Sequence, residues 1–472
     1  MSSSSCNKSF CSHYMLLNPK VAELGDVVKI LFSSDIGKRK FVDCSDGTKE
    51  PLDRRWIICV SVLFQKFLHA NAKPLADFGN GVEHWLNMLS GNGGFLSLIK
   101  NTFKGKVVQP DKTSASFTSF VGNVDKRFEL DPAIGFGDKR YYAALSVMAS
   151  KASYENNNYI QALVDDRWKM HLVNTYDFWN DYQEKATTQA FIMDDKRDTI
   201  VVAFRGTDPF NADAWSSDVD LSWYEIPGIG KMHGGFMKAL GLLKSQGWPE
   251  EQDPKLTETA YYAIRKQLRK LMQENEKAKF IVTGHSLGGA LAVLFPAILG
   301  LHGDSFLLHR LEGVYTFGQP RVGDEEFGKY MTKLINKHSF HCVRFVYSYD
   351  MVPRLPCDNN TFMFKHFGTC IYFNSLYKGK VVDEEPDKNY FSMIWWIPKL
   401  LNAWWELIRS FLIKYVKGWE YEEGGLLRLF RVIGVMVAGL PAHCPQDYVN
   451  SIRLGLSDML LSLHTHKMMK MH

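Results

Sequence analysis

The sequence of 472 residues lacks several features that mark particular classes of protein. It has no block of basic residues, and its net charge is only +5, so we expect no nucleic-acid partner. Its eight cysteines form no Cys-x-x-Cys pair, which argues against a metal site of the zinc type and against a thioredoxin motif. No run of 18 or more uncharged apolar residues is present, so we expect no membrane-spanning helix.

The first 22 residues lack the marks of a secretory signal. They contain no acidic residue and no arginine, and four serines follow Met1 in place of a continuous apolar segment. This composition favours a disordered tail, with an organelle transit peptide as the alternative. Without a secretory signal we expect reduced thiols and an intracellular protein.

Aromatic residues, in contrast, are abundant: they make up 13% of the chain and include 12 tryptophans. Five of these tryptophans fall within the single stretch from Trp395 to Trp419. Large amphipathic rings favour boundaries between apolar material and water. The cluster therefore indicates a part of the protein that meets such a boundary.

The residues around this cluster have the periodicity of an amphipathic helix. Apolar side chains recur every three or four residues, at Ile397, Leu400, Leu401, Trp404, Trp405, Ile408, Phe411, Leu412 and Tyr415. Polar side chains fall on the other side, at Lys399, Asn402, Glu406, Arg409 and Lys417. We favour a helix lying in the plane of a lipid surface, because tryptophan with lysine and arginine is typical of such helices. A core helix and a homodimer interface are the alternatives.

The sequence pattern changes near residue 136. Residues 1–135 form an N-terminal extension, in which Trp56–Leu68 is either a second lipid anchor or a buried core helix. After it, helical periods alternate with short β-branched runs. We predict strands over Asp198–Phe204, Lys279–Thr283, Gly313–Phe317 and Cys342–Ser348, and helices over Tyr141–Ser153, from Asp253–Pro254 to Met272, and over Leu287–Leu299. This order predicts an α/β fold with a mostly parallel or mixed central sheet covered on both faces.

The strongest chemical signal is the Gly-x-Ser-x-Gly pattern from Gly284 to Gly288. It stands between a predicted strand and a predicted helix, where a nucleophile elbow must lie. Glycine at both positions avoids a clash across the sharp turn, and the following helix directs N–H groups towards the reacting atom. The pattern predicts Ser286 as a nucleophile, with a glycine-rich packing turn as the alternative.

A serine hydroxyl needs a base and an orienting carboxylate, which in this architecture follow it in the order acid, then histidine. Asp350 comes after a predicted strand and is favoured over Asp324. His443 lies in a loop between two prolines and is favoured over His366, which is close to Asp350 in sequence. The remaining candidates belong to the C-terminal tail: His464, His466 and His472.

An oxyanion hole needs two N–H donors fixed where negative charge develops. The residue after the nucleophile, Leu287, supplies one of them. The turn after the strand that ends at Phe204 is the natural source of the other, and Thr207 in that turn can add its hydroxyl. An ordinary turn with an exposed Arg205 is the alternative.

Six ordered motifs together resemble the class 3 lipases, a family of α/β-hydrolases. They are Phe204–Thr207 (FRGT), His233–Phe236 (HGGF), Gly284–Ala290 (GHSLGGA), Thr316–Asp324 (TFGQPRVGD), Asp350–Pro356 (DMVPRLP), and His443 with Tyr448. The resemblance implies that Ser286, Asp350 and His443 form a catalytic triad. It also implies an oxyanion hole from the backbone amides of Thr207 and Leu287. Asp324 then has a structural role.

The resemblance also implies a short lid over Asp208–Trp215, ending near Asp218. The extension and the segment LPAHCPQDYVNSIRLG, which contains His443, resemble the plant oil-body triacylglycerol lipases more closely. Residues 136–472 are then the lipase domain, and the tryptophan-rich part, about 374–436, is an insertion before the catalytic histidine.

This resemblance implies a serine lipase that hydrolyses acyl esters of triacylglycerols at a lipid-droplet surface and needs no metal or organic cofactor. The partners it implies are a lipid substrate and a droplet or membrane surface. The alternative is a phospholipase A1 or galactolipase with the same triad. A lipase-like signalling protein is less favoured, because every catalytic position is filled in this chain. The pattern does not indicate an oligomeric state.

Overall fold

The computed structural model describes residues 13–180, 185–242, 248–358 and 363–456. The strands are β1 (His13–Leu17), β2 (Val42–Cys44), β3 (His171–Asn180), β4 (Lys185–Asp194), β5 (Thr199–Phe204), β6 (Trp223–Ile226), β7 (Gly230–His233), β8 (Lys279–His285), β9 (Leu311–Phe317), β10 (His341–Tyr347), β11 (Thr369–Phe373) and β12 (Gly379–Val382). The first helices are α1 (Leu24–Lys29), α2 (Leu52–Ala70), α3 (Ala72–Gly91), α4 (Phe95–Phe103), α5 (Phe120–Val124), α6 (Tyr141–Ala152), α7 (Asn157–Gln161) and α8 (Ala212–Val219). The later ones are α9 (Gly234–Ala239), α10 (Ala260–Glu274), α11 (Leu287–Leu301), α12 (Ser305–Leu308), α13 (Glu325–His338), α14 (Trp396–Lys417) and α15 (Gly425–Met436), and residues 445–456 are also helical.

The central sheet has the strand order β12-β11-β10-β9-β8-β5-β4-β3. Neighbours from β5 to β11 are parallel, while β12, β4 and β3 pair in the antiparallel direction at the two ends. Every residue of β5 is buried. Val202 belongs to the core cluster that includes α11, whereas Val201 and Ala203 belong to the cluster that includes α6. Helices therefore cover both faces, and the predicted α/β architecture with a mostly parallel sheet is confirmed.

The predicted strands and helices of this part lie within a few residues of the observed ones, with one exception. The predicted helix start at Asp253–Pro254 is wrong, because α10 begins at Ala260 with Thr259 as its N-cap. The Asp253 carboxylate accepts a hydrogen bond from the backbone N–H of Lys255 and closes a local turn instead. Leu256 is exposed, so it does not belong to the apolar stripe of the helix.

The N-terminal residues share a second sheet with the later chain. Its order is β2-β1-β6-β7, and β1 pairs antiparallel with β6, where Tyr14 lies opposite Tyr224. A core cluster joins Met15 and Val62 to Trp223 and other later residues. The predicted division of the chain at residue 135 stays a prediction, and strand pairing crosses it.

The amphipathic helix predicted around the tryptophans is α14. Unlike a core helix, it turns its polar face towards the protein and its apolar face towards the surface. Three of its charged side chains point inward: Arg409 is 5% exposed, and Lys399 and Glu406 are equally buried, whereas Lys417 near the end of the helix is exposed. Leu401 is 64% exposed, and the rest of the predicted apolar stripe is mostly exposed with it. The core-helix alternative is therefore wrong for α14.

A network of buried charges holds the inner side of α14. The Arg409 guanidinium donates hydrogen bonds to Asp447 and Glu423, at 3.0 and 3.3 Å. Arg431, on α15, donates to the same two carboxylates and also to Glu406. Asp447 lies on the helix of residues 445–456, so the network ties α14 and α15 to that helix.

The segment Trp56–Leu68 lies within α2 and has two different faces. Ile58 and Val62 pack in the core, whereas Trp56, Phe64 and Phe67 are exposed. The helix is thus partly a core helix and partly an apolar surface. Within the described ranges, no helix is both long enough and apolar enough to cross a membrane.

Candidate active site

Ser286 lies at the sharp turn between β8 and α11. Its backbone has φ 59° and ψ −130°, a region that L-residues rarely adopt and that is typical of strained functional turns. A Cβ on Gly284 would lie 2.1 Å from the carbonyl carbon of Gly288, and one on Gly288 would lie 2.3 Å from the Phe204 carbonyl oxygen. Only glycine fits at these two positions, so the pattern read from the sequence has a steric cause.

Asp350 and His443 lie next to each other, although 93 residues separate them. Asp350 follows β10, is fully buried, and its Oδ2 lies 2.8 Å from Nδ1 of His443. The same oxygen accepts a hydrogen bond from the Tyr448 hydroxyl at 2.5 Å, and Oδ1 accepts one from the backbone N–H of Val352. The carboxylate is thus fixed from three directions, and it orients the imidazole.

The other ring nitrogen of His443 is unoccupied. Its Nε2 is buried and has no hydrogen-bond partner among the described residues. A cavity of about 500 Å³ is lined by both His443 and Ser286, and Thr207 also borders it. A candidate base, a hydroxyl and an oxyanion-hole candidate therefore meet at one apolar chamber, which has a size typical of ligand sites.

His285, the residue before Ser286, positions the backbone of His443. Its Nδ1 lies 2.8 Å from the Tyr154 hydroxyl, and its Nε2 lies 2.8 Å from the carbonyl oxygen of His443. Burial, with the nearby His443, lowers the pKa of His285 well below its ordinary value. The ring is therefore neutral: Nε2 donates to the His443 carbonyl, and Nδ1 accepts from Tyr154.

Thr207 lies in the turn after β5, where the oxyanion hole is predicted. Its hydroxyl donates a hydrogen bond of 2.7 Å to the Asp218 carboxylate, which fixes the threonine. Burial raises the pKa of Asp218 to about 7, although the hydrogen bond from Thr207 opposes this shift. Leu287 is the first residue of α11, so its N–H has no acceptor within the helix.

The predicted lid segment, Asp208–Trp215, runs into α8 and is covered by the N-terminal helices. Ser61 on α2 donates a hydrogen bond of 2.6 Å to the Val219 carbonyl oxygen. Phe210 packs so closely on α3 that a Cβ on Gly79 would lie 2.4 Å from it. No residue from 205 to 220 is exposed, so a displacement of this segment would also involve α2 and α3.

The alternative acid and base candidates lie elsewhere. The Asp324 carboxylate accepts a hydrogen bond from the backbone N–H of Phe327 and caps α13. His366 contacts the Pro353 carbonyl oxygen through Nε2 at 2.7 Å and is buried beside Glu385. The tail candidates lie outside the described residues: His464, His466 and His472.

The sequence did not predict the residues that form hydrogen bonds with the predicted site residues. Nothing in the pattern linked Asp218 to Thr207 or Tyr154 to His285, because these contacts form only in the folded chain. The cavity wall from α15 did leave a signal, since Leu426, Leu429, Phe430 and Ile433 recur at helical spacing.

Comparisons with known proteins identify the family of the chain. The family model described as lipase (class 3) matches residues 201–360. The triacylglycerol lipase OBL1 of Arabidopsis thaliana is 39% identical, over 96% of this chain and 97% of that protein. The proteins of the same name from Nicotiana tabacum and Ricinus communis are 41% and 36% identical, over 87% and 97% of this chain and 85% and 97% of their own lengths. Since relatives at this identity match it almost from end to end, the chain belongs to the class 3 lipases.

Proposed function

We propose that this chain is a serine lipase that hydrolyses acyl esters of triacylglycerols at the surface of a lipid droplet. Ser286 is the nucleophile, His443 the general base and Asp350 the carboxylate that orients the base. The observation that carries this proposal is the pairing of Asp350 with Nδ1 of His443 at 2.8 Å. The other ring nitrogen, Nε2, has no hydrogen-bond partner among the described residues. His443 and Ser286 line the same cavity.

In the proposed first step, Nε2 of His443 takes the proton of the Ser286 hydroxyl while Oγ attacks the ester carbonyl. Asp350 stabilises the imidazolium that forms, and the hydrogen bond to Nδ1 keeps the ring in the required tautomer. His443 then gives the proton to the leaving diacylglycerol. Water, activated by the same histidine, hydrolyses the acyl-enzyme and releases the fatty acid.

The negative charge on the carbonyl oxygen is held by the backbone amides of Thr207 and Leu287. Donors fixed before the reaction begins stabilise the transition state more than the ground state, and one such donor contributes roughly 10²- to 10³-fold in kcat. The hydrogen bond from Thr207 to Asp218 supports this role, because it holds the Thr207 turn in place.

Triacylglycerol is the favoured substrate class for two reasons. The OBL1 relatives that match almost the full chain carry the name triacylglycerol lipase. The cavity beside Ser286 is also mainly apolar, with groups such as Phe120, Leu426 and Phe430 in its wall. A chamber of this kind suits a hydrocarbon chain and offers little to a polar head group.

Association with the droplet surface is supported by the outward apolar face of α14. Its exposed tryptophans, together with inward lysine and arginine, match the composition of helices that lie in a lipid interface. The exposed face of α2, with Trp56 and Phe67, offers a second contact of the same kind. Both faces would then leave water when the protein binds.

The decisive experiment replaces the nucleophile and measures hydrolysis of emulsified triolein by the purified full-length chain. We expect Ser286→Ala to lower kcat by more than about 10⁴-fold, because no other group supplies the attacking oxygen. The matched control is Ser34→Ala, at an exposed serine outside the cavity. Retained hydrolysis in Ser286→Ala would contradict the assignment of Ser286 as the nucleophile. A phosphatidylcholine and galactolipid panel tests the substrate class, and faster cleavage of either would replace triacylglycerol.

A further inference from the structure

The cavity beside Ser286 is walled mainly by residues outside the segment 201–360 that matches the family model. The polar lining residues include Ser286, His443 and Thr207. Most of the apolar wall comes from two other places, helices α3 and α5 on one hand and helix α15 on the other, and the predicted lid adds Phe210 and Trp215. The wall residues on these helices are Phe78, Val82, Phe120, Val121, Val124, Leu426, Leu429, Phe430 and Ile433.

Aromatic contacts join the two walls across the predicted lid. The Phe120 ring lies 5.0 Å from the ring of Phe210 and 5.7 Å from the ring of Phe430, measured between centroids. The Phe78 ring also contacts that of Phe210, with 5.8 Å between centroids. The rings connect the N-terminal segment, the 208–218 segment and the insertion, so each of these three parts shapes the chamber.

Three wall residues lie both in the cavity and on the outer surface. Phe78 is 63% exposed, Leu429 is 57% exposed and Ile433 is 36% exposed. They therefore form the rim of the chamber, with Phe78 on α3 and the other two on α15. These three side chains are apolar, so a hydrocarbon chain that enters between them meets apolar groups.

We propose that the acyl chain of the substrate lies in this chamber, with α3 and α5 on one side and α15 on the other. Leu426 and Phe430 then determine the acyl-chain length that the enzyme prefers. The inference rests on the proposed function, since it assigns a place to the acyl group of the ester that Ser286 attacks. The chain enters across the rim formed by Phe78, Leu429 and Ile433. The ester carbonyl then lies beside Ser286 and His443, which line the same chamber.

The position of these two residues makes the inference testable in both directions. Leu426 and Phe430 are only partly buried and stand on α15 next to the chamber, so a change of their size alters its volume. Leu426→Trp fills the chamber, and Phe430→Ala enlarges it. Neither residue contacts the Asp350–His443 pair through any hydrogen bond, since both side chains are apolar.

The experiment compares p-nitrophenyl palmitate with p-nitrophenyl butyrate for the purified full-length chain in the same detergent micelles. We expect Leu426→Trp to lower the palmitate-to-butyrate ratio of kcat/KM by about tenfold, because a chamber that lacks room for a few methylenes discriminates by this order. Phe430→Ala should raise the palmitate-to-butyrate ratio of kcat/KM, because butyrate fills the enlarged chamber poorly and is cleaved more slowly.

The matched controls are Leu256→Trp and Phe306→Ala, at partly exposed positions that do not line the chamber. Their ratios should equal that of the wild type. An unchanged ratio in Leu426→Trp and Phe430→Ala, or an equal loss for both esters in a folded variant, would overturn the inference. If one variant fails to fold, the ratio of the other decides. Such a result would contradict the acyl-chain site but not the catalytic triad. Activity in Ser286→Ala would contradict the triad but not the effect of the chamber on chain-length preference.

Discussion

Helices α11 and α14 are both rich in apolar residues, and they place these residues in opposite surroundings. In α11 every residue from Leu287 to Leu299 is buried between the central sheet and its neighbours. In α14 the buried residues include Lys399, Glu406 and Arg409, while Trp404 and Leu401 are exposed. The apolar content of a helix therefore does not decide which face turns inward.

The difference is explained by what each helix meets. The central sheet offers α11 an apolar surface, so burial of its side chains stabilises the fold by roughly 25 cal/mol per Å². The inner side of α14 meets carboxylates and Arg431, which pair with its charges. Its outer face is left in water at a similar cost per area, and that cost disappears when the face enters lipid.

The sharpest test of this comparison makes the same substitution in both helices. Leu294→Asp in α11 buries a carboxylate without a partner, and we expect a loss of more than about 4 kcal/mol in the free energy of unfolding. Leu401→Asp in α14 should change it by less than about 0.5 kcal/mol, because that side chain is exposed. Urea unfolding measures both, and equal losses would contradict the reversed orientation of α14.

A second test removes one charge from the network beneath α14. Arg431→Met leaves Glu423 and Asp447 short of a partner, so we expect a loss of about 3–5 kcal/mol in the free energy of unfolding. The control on the same helix is Arg428→Met. That arginine is partly exposed and pairs with Glu422 at 3.6 Å, so its removal should cost less than about 1 kcal/mol. Similar costs for the two arginines would show that the buried network does not hold the helices.

The third test concerns the outer face of α14. Replacing Trp404 and Trp405 with glutamate should lower binding to triolein droplets by more than about tenfold, because two large rings no longer enter the lipid. Flotation of the purified protein with droplets measures the bound fraction. Trp179→Glu is the matched control, since Trp179 on β3 is 42% exposed, between the 50% and 38% of the other two. Unchanged flotation of the double variant would favour the homodimer interface instead.

The smallest effect is expected for Glu406, which faces Arg431, Arg409, Asp447 and Asn402. Burial raises the pKa of Glu406 above its ordinary value of 4.5, although the two arginines oppose the shift. Between 4.5 and the raised pKa the folded chain holds a proton that the unfolded chain has released, so the free energy of unfolding falls as pH rises through this window. Glu406→Gln should flatten that fall by about 1 kcal/mol or less, as measured by urea unfolding at several pH values. A steeper fall in the variant would contradict the raised pKa.

The elbow could be predicted from the sequence because its cause is local. Gly284 and Gly288 approach each other within one turn, and the strand and helix around Ser286 have clear periodicity. Asp350 and His443 are different, since periodicity places each near a turn but does not bring them together over 93 residues. The order of acid and then histidine favoured both residues, and the resemblance to a family then implied that they act together.

The surroundings of α14 could not be predicted for a related reason. Its periodicity defines an apolar face and a polar face, but the direction that each face takes depends on Glu423, Arg431 and Asp447, which come from other elements. The walls of the chamber could not be predicted for the same reason, because Phe120 and Phe430 come from distant parts of the sequence and meet only in the folded chain.

The pairing of β1 with β6 has a consequence for the preparation of shorter chains. A protein that begins near residue 136 keeps every motif of the family but loses β1, so the backbone edge of β6 becomes free. It also uncovers Trp223, which packs against Met15 and Val62 in the full chain. Free strand edges beside exposed apolar side chains recruit the strands of other molecules. Truncation to the lipase-like part is therefore expected to give insoluble aggregates, however complete its catalytic residues are.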